Sequence, residues 1–275
     1  MPAIFRASAD WSRSALLLGR ARQPWIPSEE DSQLMLELAS PTLRKDSKVV
    51  VLGVTPAIIQ LSWPRQVMLC AIDASPAMIA AQWRAHSSIA SMVACARWQS
   101  MPFPDAAASA IVGDGSLNTL PSLAEYPVVF AELSRMLRRD GVLVLRCFVR
   151  STAESVEEVV EAALNRKFTT SAPFRLRLCM ALAKKDGGLG LGELLEGFNA
   201  LFPDRQRLAA AAGWPMEEIE RFDMDKGSNV RITFPSESQI TKLAAPFFDV
   251  RAVRRGSYAL AEYCPTIALA VNRAP

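Results

Sequence analysis

The sequence predicts an α/β protein with a doubly wound, mostly parallel sheet, a helical insertion and a C-terminal antiparallel hairpin. Apolar runs of strand length alternate with segments of helical periodicity up to residue 148. Several helical segments then follow one another, and two strand-like runs, 248–254 and 266–272, come last. Continuous apolar runs of four to six residues are typical of strands buried on both faces of a parallel sheet.

The stretch 48–73 organises this fold. Four apolar residues lead into Gly53, and a second apolar run ends on Asp73, twenty residues after that glycine. Between them, Pro56 suits the first position of a helix and Thr55 its N-cap, whose hydroxyl is expected to accept a first-turn N–H. This order of strand, turn, helix and strand puts the acid where it can meet a ribose. The turn lacks the later glycines that a dinucleotide pyrophosphate needs, so it favours a nucleoside over NAD.

The remaining elements follow in chain order. The core is predicted to contain a helix over 77–86, a strand over 88–96, a loop over 97–105, a strand over 108–112, a helix over 128–139 and a strand over 141–148. Further helices are predicted over 153–166, 174–185, 191–202, 204–212 and 236–245, with a short strand or extended piece over 230–234.

These elements suggest four regions. They are an N-terminal helical lead-in (1–47), a nucleoside-binding core (48–150), a helical lid or substrate insertion (151–228) and the closing strands of the core sheet (229–275). Within the lead-in, helical spacing covers 11–18 and 28–38. Trp25 lies in the loop between these two segments, where it either closes over a ligand or packs on the sheet.

Composition narrows the function classes. A chain of 275 residues, 50% of them hydrophobic, can bury a large core, and a net charge of +3 is too slight to indicate nucleic acid. One histidine and five cysteines without a C-x-x-C pair argue against a metal site and predict reduced thiols. Without a signal core or an apolar run of membrane length, a cytoplasmic protein with no membrane association is expected. The oligomeric state is left open.

Four segments, in this order, resemble class I S-adenosylmethionine-dependent methyltransferases of the small-molecule type. Residues 49–53 resemble the first motif of that family, and 72–78 resemble its second-strand acid and following helix. Residues 98–105 resemble the loop that flanks the adenine, and 133–145 resemble a later helix and the fifth strand. The resemblance implies a Rossmann-like seven-stranded sheet. It also implies methyl transfer from S-adenosyl-L-methionine (SAM) to an O, N, S or C nucleophile of a small molecule, with S-adenosyl-L-homocysteine (SAH) as product.

The resemblance also implies a cofactor site. Gly53 would let the backbone approach the methionine part, Asp73 would accept hydrogen bonds from both ribose hydroxyls, and Trp98 would flank the adenine. Asp114 would line the methyl side, although capping the turn after its strand is an equal alternative. The candidate cofactor residues are Gly53, Val54, Thr55, Asp73, Ala74, Met78, Trp98, Gln99, Asp114, Gly115 and Ser116.

The chain departs from the family pattern at two acidic positions, where it has Val51 and Arg97. These departures leave a non-catalytic binding or partner subunit of the same fold as the main alternative. A nucleic-acid or protein methyltransferase is a further alternative, but residues 114–116 lack the Asn/Asp-Pro-Pro-aromatic motif of enzymes that methylate base nitrogens. An NAD-dependent oxidoreductase shares the second-strand acid but is disfavoured by the turn.

The catalytic residues stay undecided at this point. In the absence of a suitable histidine, Asp114, Tyr258 and Tyr263 are the candidates for a base. Arg146 either reaches the substrate cleft or pairs with an acid. The apolar and aromatic residues around 174–180 and 198–202 suit an apolar or aromatic substrate, or ordinary packing of the lid.

Overall fold

The computed structural model describes residues 11, 12, 15, 21–151, 155–184 and 186–272. Most of the predicted lead-in helix over 11–18 therefore lies outside the described residues. The α-helices are α1 (Glu29–Ala39), α2 (Pro56–Ile59), α3 (Pro76–Gln82), α4 (Tyr126–Met136), α5 (Val156–Leu164), α6 (Ser171–Leu182), α7 (Leu191–Leu201), α8 (Arg205–Ala212), α9 (Met216–Glu220) and α10 (Glu237–Ala244). The strands are β1 (Lys48–Leu52), β2 (Met68–Asp73), β3 (Ala90–Cys95), β4 (Ala108–Asp114), β5 (Leu137–Arg146), β6 (Gly188–Gly190), β7 (Arg231–Thr233), β8 (Phe248–Arg254) and β9 (Thr266–Val271).

Seven strands form one sheet in the order β3-β2-β1-β4-β5-β9-β8. The first five are parallel, whereas β9 pairs antiparallel with both β5 and β8. β6 and β7 form a separate two-stranded antiparallel sheet. The predicted fold class, a mostly parallel doubly wound sheet closed by an antiparallel hairpin, is confirmed.

Helices cover both faces of the large sheet, as buried parallel strands require. On one face, Met35 of α1 and Ile58 of α2 pack against Val49 and Val51 of β1. On the other face, Phe130 of α4 belongs to the same buried cluster as the alternate residues of β1. We call the first face the α1 face, because it carries the candidate site.

The helices α5 to α9 form their own apolar cluster beyond the carboxyl end of β5. Phe174 and Phe198 are fully buried in it, and Phe198 stacks on Phe222 with ring centroids 3.9 Å apart. The cluster also includes Phe148, just after β5, and Cys264, just before β9. Because these aromatic rings pack on one another, they supply the internal core of the helical insertion, which supports the packing interpretation of these residues. The division of the chain into four regions stays a prediction.

Local details differ from the sequence predictions. The expected N-cap hydrogen bond of Thr55 is wrong, because the main-chain carbonyl of Thr55, rather than its hydroxyl, accepts the N–H groups of Ile58 and Ile59, both at 3.1 Å. The helix α4 ends at Met136, earlier than predicted, because Leu137 takes an extended conformation and begins β5. The short elements β6 and α9 were not predicted, since three and five residues are too few to show a period.

Candidate cofactor site

Four residues of neighbouring strands form one row at the carboxyl edge of the sheet. Leu52 pairs with Ile72 on one side and Gly113 on the other, so the next residues, Gly53, Asp73 and Asp114, share a row. Asp114 in turn pairs with Arg146 of β5. By strand alternation all four positions belong to the α1 face. Along the row the residues are therefore an acid, a glycine, an acid and an arginine. The backbone positions of the two acids are two strand spacings, about 10 Å, apart.

Gly53 opens a slot between the two acids. A Cβ built at Gly53 would have one described atom within 4 Å, Asp73 Oδ2 at 3.8 Å. Gly53 has a φ of +91°, which side-chain-bearing residues rarely adopt, and its N–H donates to the carbonyl of Ile72 at 2.7 Å. The backbone at the end of β1 is therefore accessible to a ligand that lies against it.

The Asp73 carboxylate is oriented by the loop that follows it. The N–H of Ser75 donates to Asp73 Oδ1 at 2.8 Å, and the Ser75 hydroxyl accepts from the N–H of Met78 at the start of α3. Oδ2 lies beside Gly53 and accepts no hydrogen bond from any described residue. Burial raises the pKa of Asp73, and the Ser75 hydrogen bond opposes that rise. One oxygen is thus held by the protein and the other is available to a donor.

The loop 97–105 is fastened next to this row. Trp98 Nε1 donates to the carbonyl of Ile72 at 2.9 Å, which puts the indole at the end of β2. Gln99 Nε2 donates to Glu125 at 2.5 Å, and Glu132 of α4 accepts the N–H of Met101 at 2.7 Å. The loop therefore has a fixed position relative to Asp73, at the place where the resemblance puts the adenine.

The turn after β4 packs against an aromatic ring. Gly115 has a φ of +59°, and a Cβ there would lie 2.8 Å from the ring of Phe148. Ser116 is buried, and its hydroxyl donates to the carbonyl of Leu52 at 2.7 Å, which ties the end of β4 to the end of β1. Asn118 then donates through Nδ2 to the carbonyls of Phe148 and Thr233, at 2.8 and 2.7 Å, and accepts the N–H of Phe148 at 2.9 Å.

Arg146 is buried at the end of β5 and binds several separate segments. Its Nη1 lies 2.5 Å from Asp114 Oδ1, its Nε lies 3.1 Å from Asp31 Oδ2 of α1, and its Nη2 donates to the carbonyl of Pro24 at 2.7 Å. The Tyr258 hydroxyl accepts at 3.3 Å, and the Phe148 ring lies against the guanidinium. Arg146 therefore pairs with acids, which is one of the two roles predicted for it.

The same contacts bear on the candidate bases. Burial raises the pKa of Asp114, with Arg146 opposing the rise. Burial also raises the pKa of Tyr258, which favours the protonated hydroxyl near neutral pH. Asp114 Oδ2 accepts no hydrogen bond from any described residue.

The loop before α1 joins the sheet to the helical insertion. Trp25 packs edge-on against Phe148 with centroids 5.4 Å apart, and its Nε1 donates to the carbonyl of Ala172 in α6 at 3.1 Å. Arg22 pairs at 3.3 Å with Glu218, which also accepts the Ser171 hydroxyl at 2.6 Å. Trp25 thus packs at the boundary between the sheet and the insertion. This position is close to the second of its two predicted roles, packing on the sheet.

The other candidate residues lie around the same edge. Val54 is buried, Thr55 and Met78 are half-buried, and Ala74 follows Asp73 directly. The structure brings ten of the candidates to the carboxyl ends of β1, β2 and β4 or to the adjoining loop and places Met78 in the first turn of α3, while their roles toward a cofactor stay predictions. Asp31 and Asn118 were missed because their partners are far away in the sequence. Asp31 does carry the local signal of a capping box with Ser28.

The rate at which a thiol reagent labels Cys95 can report ligand binding at this site. It ends β3 in register with Asp73 and is exposed, whereas the other four cysteines are buried. Burial raises the pKa of Cys147 to about 12 and that of Cys264 to about 11, so these thiols should react slowly. We expect N-ethylmaleimide to label Cys95 first, and SAH at ten times its Kd to slow this labelling roughly tenfold, following site occupancy.

Mass spectrometry of the labelled peptide measures this effect. The matched control is Asp73→Ala at the same SAH concentration, which should lose the protection. Equal labelling rates with and without SAH would contradict the placement of the ligand beside Asp73.

Two searches of the described residues concern other kinds of site. No helix among them is long and apolar enough to cross a membrane. Within the same residues, no group of three or more His, Cys, Asp or Glu side chains is arranged to hold a metal ion.

Comparisons with known proteins agree with this geometry. A family model described as "Methyltransferase domain" matches residues 51–145, which include most of β1 and extend to β5. A search of curated protein sequences gives no match.

Several solved structures share the fold. The N-methyltransferase NodS from Bradyrhizobium japonicum, solved with SAH, has a TM-score of 0.51 at 13% identity, covering 96% of this chain and 100% of NodS. A candidate Zn-dependent alcohol dehydrogenase from Rhodobacter sphaeroides has a TM-score of 0.61 at 10% identity, covering 95% and 98%. The PH0226 protein of Pyrococcus horikoshii has a TM-score of 0.50 at 14% identity, covering 93% and 98%.

Identities this low establish the fold alone, and the family match is what distinguishes between chemistries. Residues 51–145 match the model of a methyltransferase domain, in agreement with the resemblance in the sequence, and the chain has the fold of the class I S-adenosylmethionine-dependent methyltransferases.

Proposed function

We propose that this protein transfers a methyl group from SAM to a nucleophilic atom of a small molecule. The observation that carries the proposal is the row Asp73–Gly53–Asp114, in which an open slot over a glycine backbone lies between two carboxylates. The available oxygen of Asp73 suits a ribose hydroxyl, and two strand spacings, about 10 Å, separate β2 from β4, where the methyl side would lie.

The residues at this edge fit the cofactor. Asp73, Gly53 and the loop around Trp98 would hold the nucleoside, and the β4 end would face its methionine part. SAM supplies a methyl group already activated by the sulfonium, so alignment and exclusion of water are the main tasks of the protein. Phe148 and Trp25 support these tasks, since they join the edge of the sheet to the buried cluster of the insertion.

A small-molecule acceptor fits the position of the helical insertion. Its apolar cluster contacts the carboxyl side of the sheet through Phe148 and Cys264, which favours an acceptor small enough to be enclosed. The aromatic residues of the insertion pack on one another, so they carry no argument for an aromatic acceptor. In this proposal nucleic acid is not the substrate, in line with the slight net charge of +3.

Calorimetric titration with SAM, SAH and NAD tests the proposal. We expect both sulfur nucleosides to bind, and Asp73→Ala to weaken them by about 1.5–3 kcal/mol through lost charged hydrogen bonds. Because burial raises the pKa of Asp73, affinity should fall as the pH is lowered through that raised pKa. Asp73→Asn should abolish this pH dependence.

Asp249→Ala is the matched control, because Asp249 is an exposed acid on β8, outside the row. It should bind both nucleosides as the wild type does. If the wild type binds neither SAM nor SAH, the proposal fails and a non-catalytic protein of this fold is favoured. Binding of NAD alone would favour an oxidoreductase.

A further inference from the structure

The two outer strands of the large sheet differ in how their free edges are protected. β8 carries three charged side chains, and its pairing with β9 is irregular between Val250 and Ala252. Charges and irregular pairing are common ways of preventing an edge strand from pairing with another chain. β3 has neither, since its sequence ASMVAC contains no charged residue and its register with β2 is continuous from Ala90 to Cys95.

The outer edge of β3 is open in the described part of the chain. β3 comes first in the strand order of the sheet, and its backbone pairs with β2 alone. The connection from β3 to β4, whose residues are all described, is a loop without a helix or a further strand. In a parallel pair, the N–H and C=O groups of each strand alternate between the two sides, so part of them points away from the partner. On β3 those groups are available to another strand.

Two exposed methionines lie at this end of the sheet. Met92 of β3 and Met68 of β2 are 51% and 41% exposed. Met92 pairs in register with Cys70, so strand alternation puts Met92, Cys70 and Met68 on the face opposite the α1 face. On that face Cys70 belongs to the buried cluster of Phe130, whereas the two methionines extend the apolar surface outward to the open edge. Apolar side chains that are exposed together, unlike those scattered singly, mark an interaction site.

We propose that β3 is a dimerisation strand, which pairs antiparallel with β3 of a second copy of this chain and joins the two seven-stranded sheets into one. Antiparallel pairing of identical strands about a two-fold axis is a closed arrangement, because both copies use the same surface. Pairing of β3 with β8 of another copy would leave a free edge at each end and continue into a filament. The charges and the irregular pairing of β8 oppose that arrangement.

The charges that flank β3 also fit a second copy. Antiparallel pairing places the end of one β3 beside the start of the other. Arg97, exposed just after β3, would then lie beside Ser87 and Ser88, which are exposed just before β3 of the second copy. The arginines of the two copies lie at opposite ends of the interface, so they do not repel each other and no charge is enclosed.

The methionines supply contact area that the strand edge alone lacks. A six-residue strand is about 20 Å long, while a stable interface buries about 800 Å² on each copy, so backbone pairing needs a supplement. With Met92 at the two-fold axis, the Met92 side chains of the two copies are neighbours on one face of the joined sheet, and Met68 of each copy lies outside them. An interface of this size predicts a reversible dimer with a Kd in the micromolar range.

Sedimentation velocity of the full chain at micromolar concentrations tests the proposal. We expect a monomer–dimer equilibrium that does not proceed beyond the dimer. Met92→Lys should raise the dimer Kd about tenfold or more, because two like charges would meet at the axis. Val250→Lys is the matched control and should leave the Kd unchanged, since Val250 is 44% exposed on the other edge strand. Circular dichroism checks that both variants fold as the wild type does.

Disulfide formation tests the register. Residues directly opposite each other in an antiparallel pair have Cα atoms about 4.5–5.5 Å apart, within the range that a disulfide spans. Met92→Cys should therefore form a covalent dimer on oxidation, whereas Val250→Cys should not. Both changes are made together with Cys95→Ser, because Cys95 is an exposed thiol on the same strand.

Four outcomes would overturn the proposal. They are a wild type that stays monomeric throughout the concentration range, a dimer whose Kd is unaffected by Met92→Lys, failure of Met92→Cys to cross-link, and oligomers larger than a dimer that both lysine variants weaken. The last is the pattern expected of β3 pairing with β8. None of these measurements involves the cofactor, so the proposed function and the dimer stand or fall separately.

Discussion

Replacing Arg146 with methionine should lower the free energy of unfolding by about 3–5 kcal/mol at neutral pH, the usual cost of leaving buried charges unpaired. Methionine fills a similar volume but leaves two buried carboxylates, Asp31 and Asp114, without their cation. Urea unfolding monitored by circular dichroism measures the loss. The loss should shrink as the pH is lowered, because burial raises the pKa of Asp114 and protonation of that carboxylate removes its charge.

Arg255→Met provides the control. Arg255 pairs with Glu237, but both side chains are more than a third exposed, so this pair should contribute no more than about 1 kcal/mol. Similar losses in the two variants, or a loss at Arg146 that does not depend on pH, would show that the charges of the buried cluster do not determine its stability.

Replacing Asn118 with alanine should lower the free energy of unfolding by about 3 kcal/mol or more. Three hydrogen bonds are lost, and the N–H and carbonyl of Phe148 and the carbonyl of Thr233 lose their partner in a buried place. Asn118→Asp should also destabilise, because a carboxylate would place an oxygen against the two carbonyls. The same urea measurement quantifies both variants.

Asn165→Ala is the control for this change. Asn165 is exposed at the C-terminal end of α5, and its removal should change stability by less than about 0.5 kcal/mol. If Asn118→Ala were equally mild, the link between the turn after β4 and strand β7 would be unimportant for stability.

The sheet and the acid at the end of β2 were predictable because their signals are local. The apolar run before Asp73 and the turn at Gly53 show within twenty residues, and the alternation of strands and helices fixes the order of the parallel part. The row Asp73–Gly53–Asp114 follows from strand register once the sheet order is known.

The buried cluster around Arg146 could not be predicted, since its partners are far apart in the chain. The carbonyl of Pro24 lies 122 residues away from Arg146 and the Tyr258 hydroxyl 112 residues away, and no periodicity connects them. The sequence allowed Arg146 two roles, and only tertiary packing decides for the pairing with acids. The Thr55 hydroxyl does not cap the helix. The preference for threonine at an N-cap does not determine whether the first-turn N–H groups bond to its hydroxyl or to its carbonyl oxygen.

The order of the strands also has a consequence for synthesis on the ribosome. β5 and Arg146 emerge before the helical insertion. β9, which covers the outer edge of β5, and the residue Tyr258 emerge only after the whole insertion. Until then the nascent chain carries an unpaired strand edge of apolar residues and a charged side chain lacking part of its surroundings. Such an edge is a template for association with other chains. The interval between the synthesis of β5 and β9 is therefore when this edge of the nascent chain is open to association.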